Sequence, residues 1–529
     1  RAAQKRRTWW WKLWLIWSTK RISRSHNHRF VYAFLNISSY ICTNFIEICA
    51  AATGQTLVSV IYHSIMIKAS NDISIKSFLT DIKIISIIYF VFLIAVVCIF
   101  GYTPNNDTEG YIEYAQICLH NNQPYPCTST IVGQPFIWNI GIINLVEFSI
   151  YLFGSIIPIL PLMCLMKAIT AFLIGKIAEI LFNRKVGLTA TLLFVLYPGN
   201  WGQSTFILSE IPMTCFALLS LYLLLKSNRR YLFFIAGFTL CLANWFRGIA
   251  LIFILAIIIY HLIFDRNNLL KKIVPFIAGY LTFIIIAGSS TYIRTGYFIY
   301  QGDTLWFNIC DDAYDGASIA PHYGQDPYEK GKPRYIEDMR SKTCFECADI
   351  WKSRCLPWIM NHKIEWIKKI PYRLWYIYSS DHDNISAFLH DKSKPENNVM
   401  TLPIKHIFKE YKTLSPTQWL ALANALIYYS LILCFVLSLF MTCIRRNWKQ
   451  TFLPLFIVIV GSLLLTLVIH GETRFKLPFL PFIFIMAAYF VSNLFSAQRQ
   501  PRVLRWKANQ ECSDWAEIQI LTTISDSMA

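Results

Sequence analysis

Six ionisable side chains stand beside long apolar runs, in four separate segments of the sequence: Asp107, Glu109, Glu210, Arg247, Glu472 and Arg474. A charge at the end of an apolar helix is costly unless it is paired or functional. A carboxylate in such a place can accept a proton as a general base. An arginine there can bind a phosphate through two parallel hydrogen bonds. A single site with a general base and phosphate-binding arginines would explain all six ionisable residues.

The composition of the chain places these residues in a membrane protein. Of 529 residues, 55% are hydrophobic and 15% are charged, and the mean hydropathy is +0.42. A soluble domain carries about 25% charged residues. These values exclude a disordered chain, a collagen and an ordinary cytosolic enzyme. The net charge of +18 is therefore not evidence of a nucleic-acid partner, because Lys and Arg gather in the cytoplasmic loops of membrane proteins.

The apolar runs predict an all-α polytopic membrane protein with about ten transmembrane helices, since a spanning helix needs roughly 20 apolar residues. The shorter run Phe136–Phe153 contains Asn139, Asn144 and Glu147, which favours a helix that lies in the interface. The predicted spans are Ile82–Gly101, Ile157–Phe182, Val186–Leu196, Ile211–Leu225, Tyr231–Trp245, Ile249–Phe264, Ile273–Ile293, Trp419–Ile444, Phe452–Ile469 and Phe475–Phe495.

The basic residues orient these spans. If Phe136–Phe153 does not cross, every basic cluster falls on the side of Lys68, Lys76 and Lys83, which the positive-inside rule makes cytoplasmic. The clusters are Arg184/Lys185, Lys226/Arg229/Arg230, Arg266/Lys271/Lys272, Arg445/Arg446/Lys449 and Arg502/Arg505/Lys507. The six ionisable residues of interest then share the opposite, outer side.

The pattern also divides the chain into five parts. Residues 1–65 are a basic, Trp-rich extension of doubtful role, since Met66 would make a natural start; an interfacial basic anchor is the alternative. Residues 66–293 form an N-terminal transmembrane catalytic module and 294–415 a large extracytoplasmic loop of mixed structure. Residues 416–498 hold the C-terminal transmembrane helices, and 499–529 form a cytoplasmic tail.

Several of these residues have a simpler structural interpretation. Asp107 and Ser209 could be helix N-caps, with Glu210 placed at the positive helix end. Arg247 could extend to the interface, and Glu472 could pair locally with Arg474. Against these interpretations, Arg247 lies on the side that basic residues otherwise avoid. The segment between the last two spans is also dense in ionisable groups: His470, Glu472, Arg474 and Lys476.

The outer segments hold six cysteines that could form disulfides in an oxidising compartment: Cys118, Cys127, Cys310, Cys344, Cys347 and Cys355. The spacing of Cys344, Cys347, Cys355 and His362 is too irregular to predict a zinc site. Four acids in the large loop have no fixed spacing, which favours a solvated loop: Asp303, Asp311, Asp312 and Asp315. The sequence has no Gly-rich phosphate loop, so no nucleotide site of that kind is expected.

The order of the motifs resembles the C-type glycosyltransferases, and most closely glycosyltransferase family 39 with the protein mannosyltransferases and lipid A aminoarabinose transferases. The resemblance covers about Ile82–Phe495. In this chain, one Asp followed by Thr stands where several relatives carry Asp-Glu, and 294–415 matches no motif. The matching residues are Asp107, Tyr111, Ala115, Gln134-Pro135, Tyr197-Pro198, Leu208-Ser209-Glu210-Ile211-Pro212, Arg247, Gly471-Glu472-Thr473-Arg474-Phe475, Pro478 and Pro481.

The resemblance implies a polyprenyl-phosphate sugar donor, and a lipid, glycan or protein acceptor within membrane lipids. It implies Asp107 as general base, inversion at the anomeric carbon, and arginines that stabilise the leaving phosphate. Neither a metal nor another cofactor is required, and no nucleic acid takes part. The residues expected to bind substrate are Glu109, Tyr111, Glu210, Arg247, His470, Glu472 and Arg474.

The resemblance also implies a bacterial inner-membrane protein whose site faces the periplasm or exterior. Two rival functions stay open at this point. A lipid-sugar flippase or transporter would need ionisable residues within spans, of which Lys167 and Lys176 with Glu179 are the main examples, and internal repeats, of which none is obvious. A polysaccharide polymerase or ligase also carries large outer loops and arginines.

Overall fold

The computed structural model describes residues 81–226, 228–314, 330, 334–381, 383–385, 388, 416–468 and 471–497. The extension 1–65, His470 and the tail 499–529 therefore lie outside the described residues. The chain divides into two compact units, 1–88 and 89–529, and the site and its packing lie within the second. In the described part, the secondary structure is helical apart from two isolated bridges, Val132 with Thr343 and Ile137 with Asp303.

The first half of the described chain alternates long apolar helices with short connecting ones. The helices are α1 (Ile82–Phe100), α2 (Asn106–His120), α3 (Thr128–Ile131), α4 (Ile140–Phe153), α5 (Ile159–Leu181), α6 (Arg184–Val195), α7 (Pro198–Gly202), α8 (Glu210–Lys226), α9 (Arg230–Phe246), α10 (Leu251–Phe264) and α11 (Leu269–Thr295).

The second half begins with shorter helices and ends with three long ones. They are α12 (Leu305–Tyr314), α13 (Cys344–Asn361), α14 (Lys363–Lys368), α15 (Ile370–Tyr378), α16 (Pro416–Arg445), α17 (Trp448–Thr466) and α18 (Leu480–Ala497). The described part of the predicted outer loop 294–415 is thus helical where it has regular structure.

Each of the ten predicted spans coincides with a helix, but not all of the helices are long. Among the described residues, five are long and apolar enough to cross a membrane: α1, α5, Arg266–Thr295, Trp419–Arg445 and α17. A sixth candidate is the pair Pro198–Thr205 and Glu210–Lys226, which is bent by 118°. The all-α membrane fold is therefore confirmed, whereas ten crossings and an interfacial α4 stay predictions.

The last helix begins later than the sequence predicts. Apolar residues start at Phe475, but Thr473–Lys476 forms a 3-10 turn and α18 begins only at Leu480. Pro478 and Pro481 explain the delay, because proline lacks the N–H that a helix interior needs and is tolerated only in the first turn. The charged residues of this segment therefore sit on a compact turn rather than on the helix.

Close helix packing fixes the position of Arg247. A β-carbon at Gly237 in α9 would collide with the carbonyl oxygen of Phe276 in α11, and one at Gly279 would collide with that of Phe234. Small residues at facing positions let membrane helices approach to backbone contact. Because α9 ends at Phe246, this contact also holds the following Arg247 in place.

Candidate active site

Asp107 lies in the first turn of α2, but it is not the helix cap. The cap is Asn105, whose side-chain oxygen accepts the N–H of Thr108 at 2.9 Å. The interpretation of Asp107 as an N-cap is therefore wrong. Its Oδ2 instead accepts a hydrogen bond from Nη1 of Arg474 at 2.5 Å, across 367 residues of sequence.

The start of α2 is attached to the segment that precedes α8. The Thr108 hydroxyl donates to the carbonyl of Ile207 at 3.0 Å, and the buried hydroxyls of Thr103 and Thr205 are 2.8 Å apart. The N–H of Thr103 also donates to the carbonyl of Thr205 at 3.0 Å. These contacts hold the start of α2, which carries Asp107, beside the residues that lead to Glu210.

Arg474 binds two carboxylates at once. Besides Asp107, its Nε lies 2.9 Å from Oε1 of Glu472. Burial works against the charge on Arg474, but Asp107 and Glu472 outweigh it and hold the pKa of the guanidinium above its ordinary value. Burial raises the pKa of Glu472, and the charge of Arg474 opposes that rise. The guanidinium thus stays charged between two acids.

Arg247 forms a second ion pair beside the first. Its Nη1 lies 2.8 Å from Oε1 of Glu210, whose side chain is only 2% exposed, and donates to the Ser209 hydroxyl at 3.1 Å. That hydroxyl donates to Oε2 of Glu210 at 3.1 Å and accepts from Asn139 at 3.3 Å. Ser209 therefore connects the arginine, the acid and the start of α4.

Two aromatic side chains complete the arrangement. The ring centre of Phe475 lies 5.6 Å from each of the guanidiniums of Arg247 and Arg474, within the range of a cation–π contact. The hydroxyl of buried Tyr111 accepts from Asn139 at 3.0 Å, and burial raises its pKa, so it stays neutral. We call the five charged residues the acid–arginine cluster: Asp107, Glu210, Arg247, Glu472 and Arg474.

The structure thus brings together six of the eight residues expected at the site. The side chain of Glu109 is exposed. His470 lies outside the described residues. Sequence reasoning missed the bridging role of Asn139, Phe475 and Ser209, although it gave Ser209 as a possible cap and placed Ser209 and Phe475 in motifs. In the described part of the chain, no group of three His, Cys, Asp or Glu side chains could hold a metal ion.

A small cavity of about 30 Å³ adjoins the cluster at Glu210. Lys167, buried in α5, lines it and donates to the side-chain oxygens of Gln203 and Asn200. This volume admits a water molecule. Lys167, one of the ionisable residues within a span that a transporter would need, is therefore hydrogen-bonded to neighbouring amide side chains.

We expect Ser209→Ala to lower kcat/KM by about 10-fold, because a buried polar group that loses its partner costs about 1–3 kcal/mol and Arg247 and Asn139 would both lose one. Turnover measured with the purified protein checks this. The matched control is Ser220→Ala in α8, the helix that follows Ser209; the buried hydroxyl of Ser220 donates to the carbonyl of Ala236 at 2.8 Å, away from the cluster. Equal activity losses in the two variants would contradict the role of Ser209.

Comparison with known proteins gives a match for part of the chain. Residues 142–292 match the family described as dolichyl-phosphate-mannose-protein mannosyltransferase. This segment includes Glu210 and Arg247, whereas Asp107, Glu472 and Arg474 lie outside it. No curated protein matches the chain.

Two of the similar solved structures are of the Archaeoglobus fulgidus oligosaccharyltransferase. The apo form is 13% identical with a TM-score of 0.42, covering 80% of this chain and 51% of the other. The complex of AglB with an inhibitory peptide and a dolichol-phosphate is 13% identical with a TM-score of 0.41, covering 80% and 52%. The chain therefore spans about half the length of these proteins. The family match confirms the predicted resemblance: the chain is similar to the C-type glycosyltransferases, which are membrane enzymes.

Proposed function

We propose that the chain transfers a sugar from a polyprenyl-phosphate donor to an acceptor hydroxyl or amine on the extracytoplasmic face of the membrane. The observation that carries this proposal is the contact of Arg474 with Asp107 and Glu472, beside the pair of Arg247 and Glu210. It combines a carboxylate that can act as a base with two cations that can bind a phosphate.

The proposed reaction is a single displacement at the anomeric carbon. The acceptor oxygen or nitrogen forms a bond to that carbon and gives its proton to the carboxylate of Asp107. The bond between the anomeric carbon and the phosphate oxygen breaks, and the phosphate takes the electron pair. Because the acceptor attacks the face opposite the leaving phosphate, the configuration inverts.

The arginines stabilise the charge that grows on the departing phosphate, since fixed cations are most effective where charge develops in the transition state. Arg247 and Arg474 are both held by acids in the cluster, so their positions are set before the donor binds. Glu210 and Glu472 keep the arginines oriented or bind sugar hydroxyls. Glu109, Tyr111 and His470 remain proposed substrate contacts.

The family description guides the choice of donor and acceptor. It names dolichyl-phosphate-mannose and protein, so mannose and a protein hydroxyl are the first pair to test. The orientation from the basic loops places the cluster on the outer side, which in a bacterial inner membrane faces the periplasm. No cofactor is needed, because the phosphate itself is the leaving group.

The test is a transfer assay in proteoliposomes. We expect the purified chain to release polyprenyl phosphate from polyprenyl-phosphate mannose only when an acceptor is present, with the product anomer inverted relative to the donor by NMR. Liposomes without protein are the control. Movement of intact donor across the bilayer without bond cleavage would instead show a flippase, and transfer of whole polysaccharide chains would show a ligase.

A further inference from the structure

Two cysteines of the first outer loop are in direct contact. The thiol of Cys118, near the end of α2, donates to the sulfur of Cys127 at 3.2 Å, and both side chains are fully buried. The loop between them is held independently: the N–H of Tyr125 donates to Glu147, and Arg294 donates to the carbonyls of Pro124 and Pro126. The two sulfurs are therefore kept together by the surrounding fold.

A second pair lies in the large loop. Cys310 on α12 and Cys355 on α13 are joined by a hydrogen bond between their thiols, and both are 0% exposed. They lie in a separate apolar cluster with Ile309, Trp351 and Trp366. The contact connects two helices that are far apart in sequence.

Cys344 and Cys347 differ from these two pairs. They stand in the first turn of α13 in a Cys-Phe-Glu-Cys sequence, but they are buried in different apolar clusters. Burial raises the pKa of Cys344 to about 12 and that of Cys347 to about 11. Both therefore stay protonated at neutral pH and serve as small core side chains.

From these contacts we infer that four of the six outer cysteines form two disulfides, Cys118–Cys127 and Cys310–Cys355, and that Cys344 and Cys347 remain thiols. The inference rests on the outer-face orientation in the proposed function, because disulfides persist in oxidising compartments. The oxidant is a protein disulfide. In each pair, two thiols lose two protons and two electrons as one S–S bond forms, and the oxidant is reduced to two thiols.

The environment of the thiols in each pair favours thiol–disulfide exchange with the oxidant. The hydrogen bond from Cys118, together with bonds from Thr130, lowers the pKa of Cys127, although burial opposes this. The hydrogen bond from Cys310 likewise lowers the pKa of Cys355. A thiolate is the attacking species in disulfide exchange. Each pair therefore contains one sulfur suited to attack and one close enough to resolve the mixed disulfide.

The first bridge would act on the proposed site through α2. That helix carries Asp107 and Tyr111 near its start and Cys118 near its end. Bonding its far end to the loop at Cys127 would restrict how the helix can tilt or unwind. The bridge is thus expected to keep Asp107 in place during the catalytic cycle.

Peptide mapping of the full-length protein tests the pairing. Isolated membranes are dissolved under denaturing conditions in the presence of N-ethylmaleimide, which blocks free thiols, and the protein is then digested with and without reductant. We expect linked peptides for Cys118 with Cys127 and for Cys310 with Cys355, each about 2 Da below the sum of the reduced peptides. Cys344 and Cys347 should carry the blocking group. Blocking groups on the four paired cysteines, or links to Cys344 or Cys347, would overturn the inference.

Thermal unfolding gives a second measurement. Cys118→Ala, Cys127→Ala and the double variant should share one lowered Tm. Reductant should lower the wild-type Tm by more than theirs, because only the Cys310–Cys355 bridge is left to break in these variants. Cys347→Ala is the control, because reductant should lower its Tm as it does that of the wild type. Independent, additive losses from the two single variants would contradict a bridge.

A topology probe separates failure of this inference from failure of the proposed function. A membrane-impermeant maleimide should label Glu113→Cys, an exposed position on α2, in intact spheroplasts. If Glu113→Cys is labelled and the mapping finds blocking groups on Cys118, Cys127, Cys310 and Cys355, the disulfides are excluded and the proposed function stands. Labelling only after membrane rupture would overturn both the disulfides and the outer-face orientation.

Discussion

Replacement of Asp107 by Asn is expected to lower the rate of sugar transfer by about 10²–10⁴-fold, the contribution typical of a general base. The amide keeps the shape of the side chain but cannot take the acceptor's proton. Arg474 keeps Glu472 as its anionic partner, at 2.9 Å, so the turn that carries both should hold its position. We therefore expect the donor to bind nearly as well as before.

Transfer rates with acceptors of different acidity measure this role directly. An acidic hydroxyl needs less help from a base, so the gap between wild type and Asp107→Asn should narrow as the pKa of the acceptor falls. Donor affinity is measured in parallel. A general base predicts a loss in kcat that depends on the acceptor, whereas a purely structural partner of Arg474 predicts weaker donor binding for every acceptor.

The matched control is Glu113→Gln, which removes an exposed acid from the same helix. We expect it to transfer sugar at the wild-type rate. A similar loss in Glu113→Gln would indicate that α2 responds to any change of charge. Wild-type transfer by Asp107→Asn would exclude Asp107 as the base and leave another acid of the acid–arginine cluster, such as Glu472, to be tested.

The sequence predicts the helices well because apolar residues dominate each of the segments that form them. The prediction from sequence is wrong at some helix ends, because capping residues and prolines determine where a helix begins. Pro478 and Pro481 delay α18 to Leu480, and Asn105 rather than Asp107 caps α2. The presence of an apolar run also does not show whether the helix that it forms spans the whole bilayer. For this reason α6, with 12 residues, coincides with a predicted span but is not long enough to be counted as one.

The charged members of the site could be predicted because they interrupt apolar runs on the side that Lys and Arg otherwise avoid. Their uncharged partners could not. The sequence identifies Asn139 only as a polar residue within an apolar run and Phe475 only as part of a motif, because their contacts in the site join distant segments. The same holds for Asp381, which lies in the large loop where no motif was found.

Asp381 forms a fully buried ion pair with Lys476, next to the turn that carries Glu472 and Arg474. Nζ of Lys476 is 2.9 Å from Oδ1 of Asp381, and both side chains are 0% exposed. The ammonium also donates to the carbonyls of Ser380 and Thr473 at 2.6 and 2.8 Å. The carboxylate accepts from Tyr197 and Asn384. Lys476 therefore attaches the turn that carries Glu472 and Arg474 to the large loop.

We expect Lys476→Met to destabilise the protein by about 3–5 kcal/mol, because removing one partner leaves the other charge buried without compensation. Asp381→Asn should cost a similar amount for the same reason. The double variant should be more stable than either single one, since it buries no unpaired charge. Thermal unfolding of the four proteins in detergent gives the coupling between the two positions.

The partly exposed pair of Lys176 and Glu179 on α5 is the control for this cycle. Its atoms are 2.6 Å apart, but each side chain is 29% exposed, and a pair of that kind contributes about 0–1 kcal/mol. Lys176→Met should therefore change stability little. If the loss of stability in the double variant of Lys476 and Asp381 equals the sum of the two single losses, the two charges do not stabilise each other. Coupled losses, accompanied by weaker transfer in the single variants, would indicate that the large loop positions Arg474 through this buried pair.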